Sequence, residues 1–150
     1  MKNITMAIRF GLVTSAVLIA YFLLLALFNL HTNPVFSFFN AVITAFGIYE
    51  VIRIYKLRYA DTFSYADGFK TGMITGSIAT VVFTLFFLVY STELNAAFLP
   101  ELLNSMNGGF NINAGLITFI VAIMGFATTI VSTLTVMQLF KISRNMPQNK

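Results

Sequence analysis

Long apolar stretches separated by short polar ones set the pattern of this chain. Phe10 to Phe28 and Thr71 to Tyr90 carry no charged residue, and Ile112 to Phe140 meets Gln138 only late in the run. A membrane-spanning helix needs about 20 predominantly apolar residues at 1.5 Å rise each, so each stretch predicts a span. A fourth is less clean. Val35 to Tyr49 is apolar, but Glu50 and Arg53 interrupt before Ile54 and Tyr55. Its apolar part reaches about 22 Å, short of the roughly 30 Å hydrocarbon core. Glu50 and Arg53 therefore belong to the same helix, in its last turns near one interface. The expectation is an all-α integral membrane protein with one domain over residues 1–150. Its four spans lie near residues 8–29, 35–55, 67–91 and 112–140.

Composition sharpens this. Hydrophobic residues make up 58% of the chain and charged residues 9%, against roughly 45–50% and 25% in soluble domains. That excludes a soluble enzyme domain and a disordered tail, and the absence of cysteine excludes a disulfide scaffold. The net charge of +4 rests on nine cations, too few on an apolar chain to line a nucleic-acid groove. Their placement is informative. Lys2 and Arg9 precede span one; Arg53, Lys56, Arg58 and Lys70 bracket the link between spans two and three; Lys141, Arg144 and Lys150 follow span four. The links around His31 to Pro34 and from Ser91 to Asn111 hold no Lys or Arg. By the positive-inside rule both termini are expected in the cytoplasm. The first apolar run is too long for a signal peptide and lacks a small-x-small site after it, so it reads as an uncleaved helix.

Turn residues agree with these limits. Asn33-Pro34 stops one helix and starts the next. Ser64-Tyr65-Ala66-Asp67 matches a capping box opening span three. In the longest link Leu94, Phe98, Leu102 and Met106 recur every four residues, predicting a short amphipathic piece on the outer surface, with a re-entrant loop as the alternative.

The chain also resembles itself. Arg9-Phe10-Gly11-Leu12-Val13-Thr14-Ser15 aligns with Lys70-Thr71-Gly72-Met73-Ile74-Thr75-Gly76, and Val51-Ile52-Arg53-Ile54-Tyr55-Lys56 with Val136-Met137-Gln138-Leu139-Phe140-Lys141. Two matches in order predict a duplicated helical hairpin. Both copies run inside-out-inside, so the repeat is parallel, unlike the inverted repeats of many secondary transporters.

Helices in lipid associate through close packing at small residues. Span three carries Gly68, Gly72, Gly76, Thr80 and Thr84 at four-residue spacing; span one has Ala7, Gly11 and Ser15; span four has Gly125, Thr129 and Thr133. These ridges are expected to face protein, within the chain in preference to a homodimer, with the bulky apolar positions opposite facing lipid.

Candidate chemistry is sparse. Arg9, Glu50, Arg53, Asp67 and Lys70 should form a polar ring at the cytoplasmic mouth. Such a ring can anchor the helices at the interface, bind an anionic headgroup or substrate, or relay protons. His31 has no acid nearby in sequence and reads as a loop residue. Seven Met and seventeen Phe read as lipid-facing and packing residues, and Tyr49, Tyr55, Tyr59 and Tyr65 as an inner aromatic belt. No Walker A, HExxH, GxSxG or Rossmann pattern is present. No cofactor, metal site or catalytic set can be drawn.

With Gly11, the helix end Ile52-Arg53-Ile54-Tyr55 and above all Phe63-Ser64-Tyr65-Ala66-Asp67-Gly68-Phe69-Lys70-Thr71-Gly72 in view, the chain resembles the domain of unknown function 4199 family of Bacteroidota. Asp67-Gly68 is a local departure from its Ser-Phe-containing segment. The resemblance implies a four-helix inner-membrane protein with no established activity, and a membrane glycosyltransferase as a partner suggested by gene neighbourhood. The residues favour a non-enzymatic accessory or assembly subunit in contact with membrane lipids. The rival is a small dimeric transporter or lipid-handling protein, and an intramembrane enzyme comes third.

Overall fold

The computed structural model describes residues 4–31, 33–95, 97–105 and 113–140, and the regular elements among them are all helical. They are α1 (Ile4–Leu27), α2 (Pro34–Arg58), α3 (Tyr65–Val89), α4 (Phe98–Ser105) and α5 (Ala114–Leu139). The four long ones have 24 to 26 residues, about 36–39 Å of helix, and are apolar enough to cross a membrane. Two run past the expected ends: α2 continues through Lys56 to Arg58, and α3 is prolonged by a π-helical turn over Tyr90–Leu94. Lys2, Met106, Ile112, Lys141, Arg144 and Lys150 lie outside the described residues.

Local chemistry sets the helix ends. Asn29 adopts φ 54, the left-handed geometry Asn tolerates, while Leu30 N–H reaches Leu25 O at 2.9 Å and Asn29 N–H reaches Ala26 O at 3.1 Å. This is a Schellman closure of α1, and it turns the chain sharply into His31. Asn33 Oδ1 then caps α2 through Val35 N–H at 3.0 Å, and Asn113 Oδ1 caps α5 through Leu116 N–H at 2.8 Å. At α3 the Ser64 hydroxyl accepts Asp67 N–H at 3.1 Å and donates to the Asp67 carboxylate at 2.7 Å. In the usual capping box that carboxylate would take the cap residue's backbone N–H instead.

Helix α3 is the centre of the bundle, packed against α1, α5 and α2, and α2 also touches α5 and α1. A parallel two-fold would make α1–α5 equivalent to α2–α3, yet only α2–α3 is among the main contacts. The two hairpins are thus packed unequally.

The core has three levels. At the end bearing Arg9, Arg53 and Lys70, the basic end, Ile48, Val51, Ile52, Val136 and Met137 form an apolar cluster. At the far end Phe22, Phe87, Tyr90, Phe98 and Ile117 form an aromatic one. Phe22 and Phe86 pack together there with ring centroids 5.9 Å apart, although Phe86 lies opposite the glycine ridge, on the side expected to face lipid. Between the two clusters the small residues meet. A Cβ built on Gly72 would lie 2.8 Å from Thr133 Cγ2, and one on Gly125 would lie 2.5 Å from Thr80 Cγ2. Gly76 is covered by Thr129 and Gly68 by Met137. Each step of four up α3 is a step of four back along α5, the register of an antiparallel pair. Gly11 sits on the α3 backbone, 2.9 Å from Thr75 O for an added Cβ, and Gly47 of α2 receives Thr14. Ser15 is buried and bonds its own helix at Leu12 O, 2.8 Å away.

Candidate functional site

The basic end does not close into a ring. Arg9 and Lys70 each lie five residues inside their helices, and Arg53 five from the end of α2, so all three share a depth. All three are exposed. Arg53 Nη1 approaches both Glu50 carboxylate oxygens at 3.3 Å, which is the one ion pair among the described residues. Asp67 is occupied as a helix cap and does not pair with Lys70, despite the same spacing. A half-exposed pair three residues apart contributes only about 0.3–0.5 kcal/mol. Nearby, Lys56 Nζ lies over the Phe63 and Phe140 rings at 5.9 and 5.4 Å. Tyr55 is buried against Tyr59 and Phe63, a packing residue and not a belt residue.

Polarity without partners is found at the far end. A cavity of about 490 Å³ lies between α1, α2, α3 and α5 under α4, within the roughly 300–1,000 Å³ range of small-molecule sites. Its walls are mostly apolar: Leu18, Phe22 and Leu25 from α1, Phe83 and Phe87 from α3, Ile117 and Val121 from α5, and Phe98 from α4 as a roof. Phe38 of α2 and Met124 of α5 line it as well, yet are 70% and 62% exposed. They therefore mark a mouth that opens sideways between these helices.

Three polar side chains lining the cavity hold buried atoms with no hydrogen-bond partner among the described residues: both ring nitrogens of His31, Asn40 Oδ1 and Thr84 Oγ1. Leaving such a group buried and unpaired costs about 1–3 kcal/mol. The other lining hydroxyls include two satisfied within the protein. Tyr21 donates to Phe36 O at 3.0 Å and Thr44 to Asn40 O at 2.8 Å. His31 is only 9% exposed. Phe98 stacks on its ring at 4.9 Å and 17°, and Phe22 meets it edge-on at 5.9 Å. Burial pushes its imidazole below the usual value, with Glu101 pulling weakly the other way, so at neutral pH the ring is uncharged.

His31 is a loop residue, as the sequence predicts. It is in a turn, but the Schellman closure folds its side chain inward. Asn40 lies inside an apolar run, where an amide in a membrane helix is the sequence signal for such a site. The amphipathic piece forms as α4, with Phe98 1% exposed over the cavity, while Leu94 belongs to the π turn and is exposed. The described residues contain no cluster of three potential metal ligands. Compared with family models, with curated proteins and with solved structures, the chain gives no match.

Proposed function

We propose that this is a non-enzymatic, multi-pass protein of a bacterial inner membrane that holds an amphipathic lipid in its outer half. The observation that carries the reading is the set of unpartnered polar atoms on His31, Asn40 and Thr84 inside an otherwise apolar cavity with a lateral mouth. An apolar chain can enter from the bilayer through that mouth without crossing water. The polar atoms then gain the partners they lack. This is the lipid-handling reading of the sequence, and the resemblance to the domain of unknown function 4199 family is compatible with it. The charge asymmetry supports cytoplasmic termini, with His31 and α4 on the periplasmic side. Reporter fusions after His31 and after Asn104 should both give a periplasmic signal.

The test is native mass spectrometry of the full chain purified from its membrane in mild detergent. A bound lipid is expected, and Ala41→Phe, which fills the cavity from α2, should remove it. A chain that carries no lipid, or the same lipid with Ala41→Phe, would overturn the reading. A second reading, an accessory subunit, rests on Arg9 and Lys70, exposed cations that no acid of the described chain neutralises. It requires a foreign subunit, such as a membrane glycosyltransferase, to copurify and to be lost with Arg53→Gln and Lys70→Gln.

A further inference from the structure

We infer that the occupant of the cavity is an uncharged, single-chain lipid whose head carries hydroxyl or carbonyl groups, of the monoacylglycerol or long-chain alcohol type. The inference rests on the proposed cavity function and adds the chemistry of the ligand. Among the described residues, no Lys, Arg, Asp or Glu lines the cavity. A phosphate, carboxylate or ammonium drawn in would lose its hydration without meeting a counter-charge, an outcome buried sites avoid. His31 cannot supply the missing cation, because burial holds it neutral, and Glu101 nearby disfavours an anion further. A neutral imidazole instead offers one donor and one acceptor, a threonine hydroxyl offers both, and the Asn40 carbonyl oxygen accepts. That set suits hydroxyls and carbonyls.

The placement of these groups suggests how such a molecule lies. His31 stands at the level of the turn, before α2 begins, and Asn40 is six residues into α2. The polar atoms are thus spread over about 9 Å of depth, enough for a glyceryl head with an ester below it. The volume of about 490 Å³ takes a small head and part of one chain, and the mouth between Phe38 and Met124 lets the rest of the chain continue into the bilayer. Phe98 would close over the head from α4.

The experiment compares three probes with the same oleoyl chain and different heads: 1-oleoylglycerol, oleate, and 1-oleoyl lysophosphatidylcholine. Each is titrated onto the delipidated full chain by native mass spectrometry. The expected result is binding of 1-oleoylglycerol at least tenfold tighter than either charged probe. His31→Phe and Thr84→Val should each weaken it about fivefold, the loss of one hydrogen bond. Thr84→Val keeps the side-chain shape and serves if His31→Phe does not fold. Equal binding of all three probes, each blocked by Ala41→Phe, would overturn the neutral-head inference while leaving the cavity function standing. The same holds for unchanged 1-oleoylglycerol binding in Thr84→Val. Failure of every probe to bind, or binding that Ala41→Phe does not affect, would overturn both.

Discussion

The same two helices, α3 and α5, are closed along a seam of small residues and flank an open cavity beyond it. In the seam, Gly72 faces Thr133, Gly76 faces Thr129 and Gly125 faces Thr80. Every step pairs a residue without a side chain with a small branched one, and the backbones close. One step further, the register brings Thr84 of α3 opposite Val121 of α5. Neither is a glycine, and both line the cavity. The threonines are alike in the two regions; what differs is whether a glycine stands across from them. A cavity therefore needs no special residue of its own. It begins at the last glycine step, Gly125 on Thr80, which also lines it, and the aromatic cluster above keeps it roofed.

The largest expected effect tests this directly. Gly76→Leu should destabilise the bundle by about 3 kcal/mol or more, because Thr129 already fills the space and both backbones must part. Ala41→Phe adds a comparable bulk where room exists and should cost nothing or stabilise by about 1 kcal/mol. Thermal unfolding in one detergent measures both, with Leu85→Ala on the exposed face of α3 as a mild control. Equal losses for Gly76→Leu and Ala41→Phe would erase the contrast between seam and cavity.

Acid should act on the cavity end alone. His31 has a folded value below its usual 6.5, so as pH falls through that usual value the unfolded chain takes up the proton first. Stability is therefore full above about pH 6.5 and declines as pH drops towards the folded value. The apparent melting temperature should fall between pH 7.5 and pH 5.5, and His31→Phe should flatten that slope. Glu101→Gln should steepen it, since Glu101 favours the charged ring. An unchanged slope in His31→Phe would mean that the imidazole is not held neutral by the roof.

These two regions were unequally legible in the sequence. Spans, helix caps and the spacing of Gly68, Gly72, Gly76 and Gly125 can be read directly, because period and residue size are properties of the chain itself. The cations at Arg9, Arg53 and Lys70 can be placed at one depth in the same way. Which way a side chain points is another matter: equal depth did not bring those cations together, since they lie on outward faces of different helices. His31 is harder still. Its burial depends on a left-handed Asn29, on the return of α2 and on Phe98, which is more than sixty residues away in sequence. A void is defined by what several helices fail to fill, and no local pattern encodes that.

The smallest expected effect separates shape from hydrogen bonding at the close-packed helix contacts. Thr75 Oγ1 donates to Ala7 O across the α1–α3 contact at 3.2 Å, and Thr80 pairs with Thr129 at 3.4 Å. Thr133 Oγ1, by contrast, is buried with no partner among the described residues, and its methyl group is what covers Gly72. Valine keeps the shape of threonine and removes only the hydroxyl. Thr75→Val should thus cost about 0.6 kcal/mol, the usual worth of an interhelical hydrogen bond in a membrane. Thr133→Val should be neutral or slightly stabilising, because no bond is lost and an unpaired hydroxyl leaves the core. Thr133→Ala should cost more than Thr133→Val, since it removes the methyl that fills the space over Gly72. If Thr133→Val proved as costly as Thr133→Ala, the hydroxyl would be the working part of that side chain, and the seam would be held by polarity instead of fit.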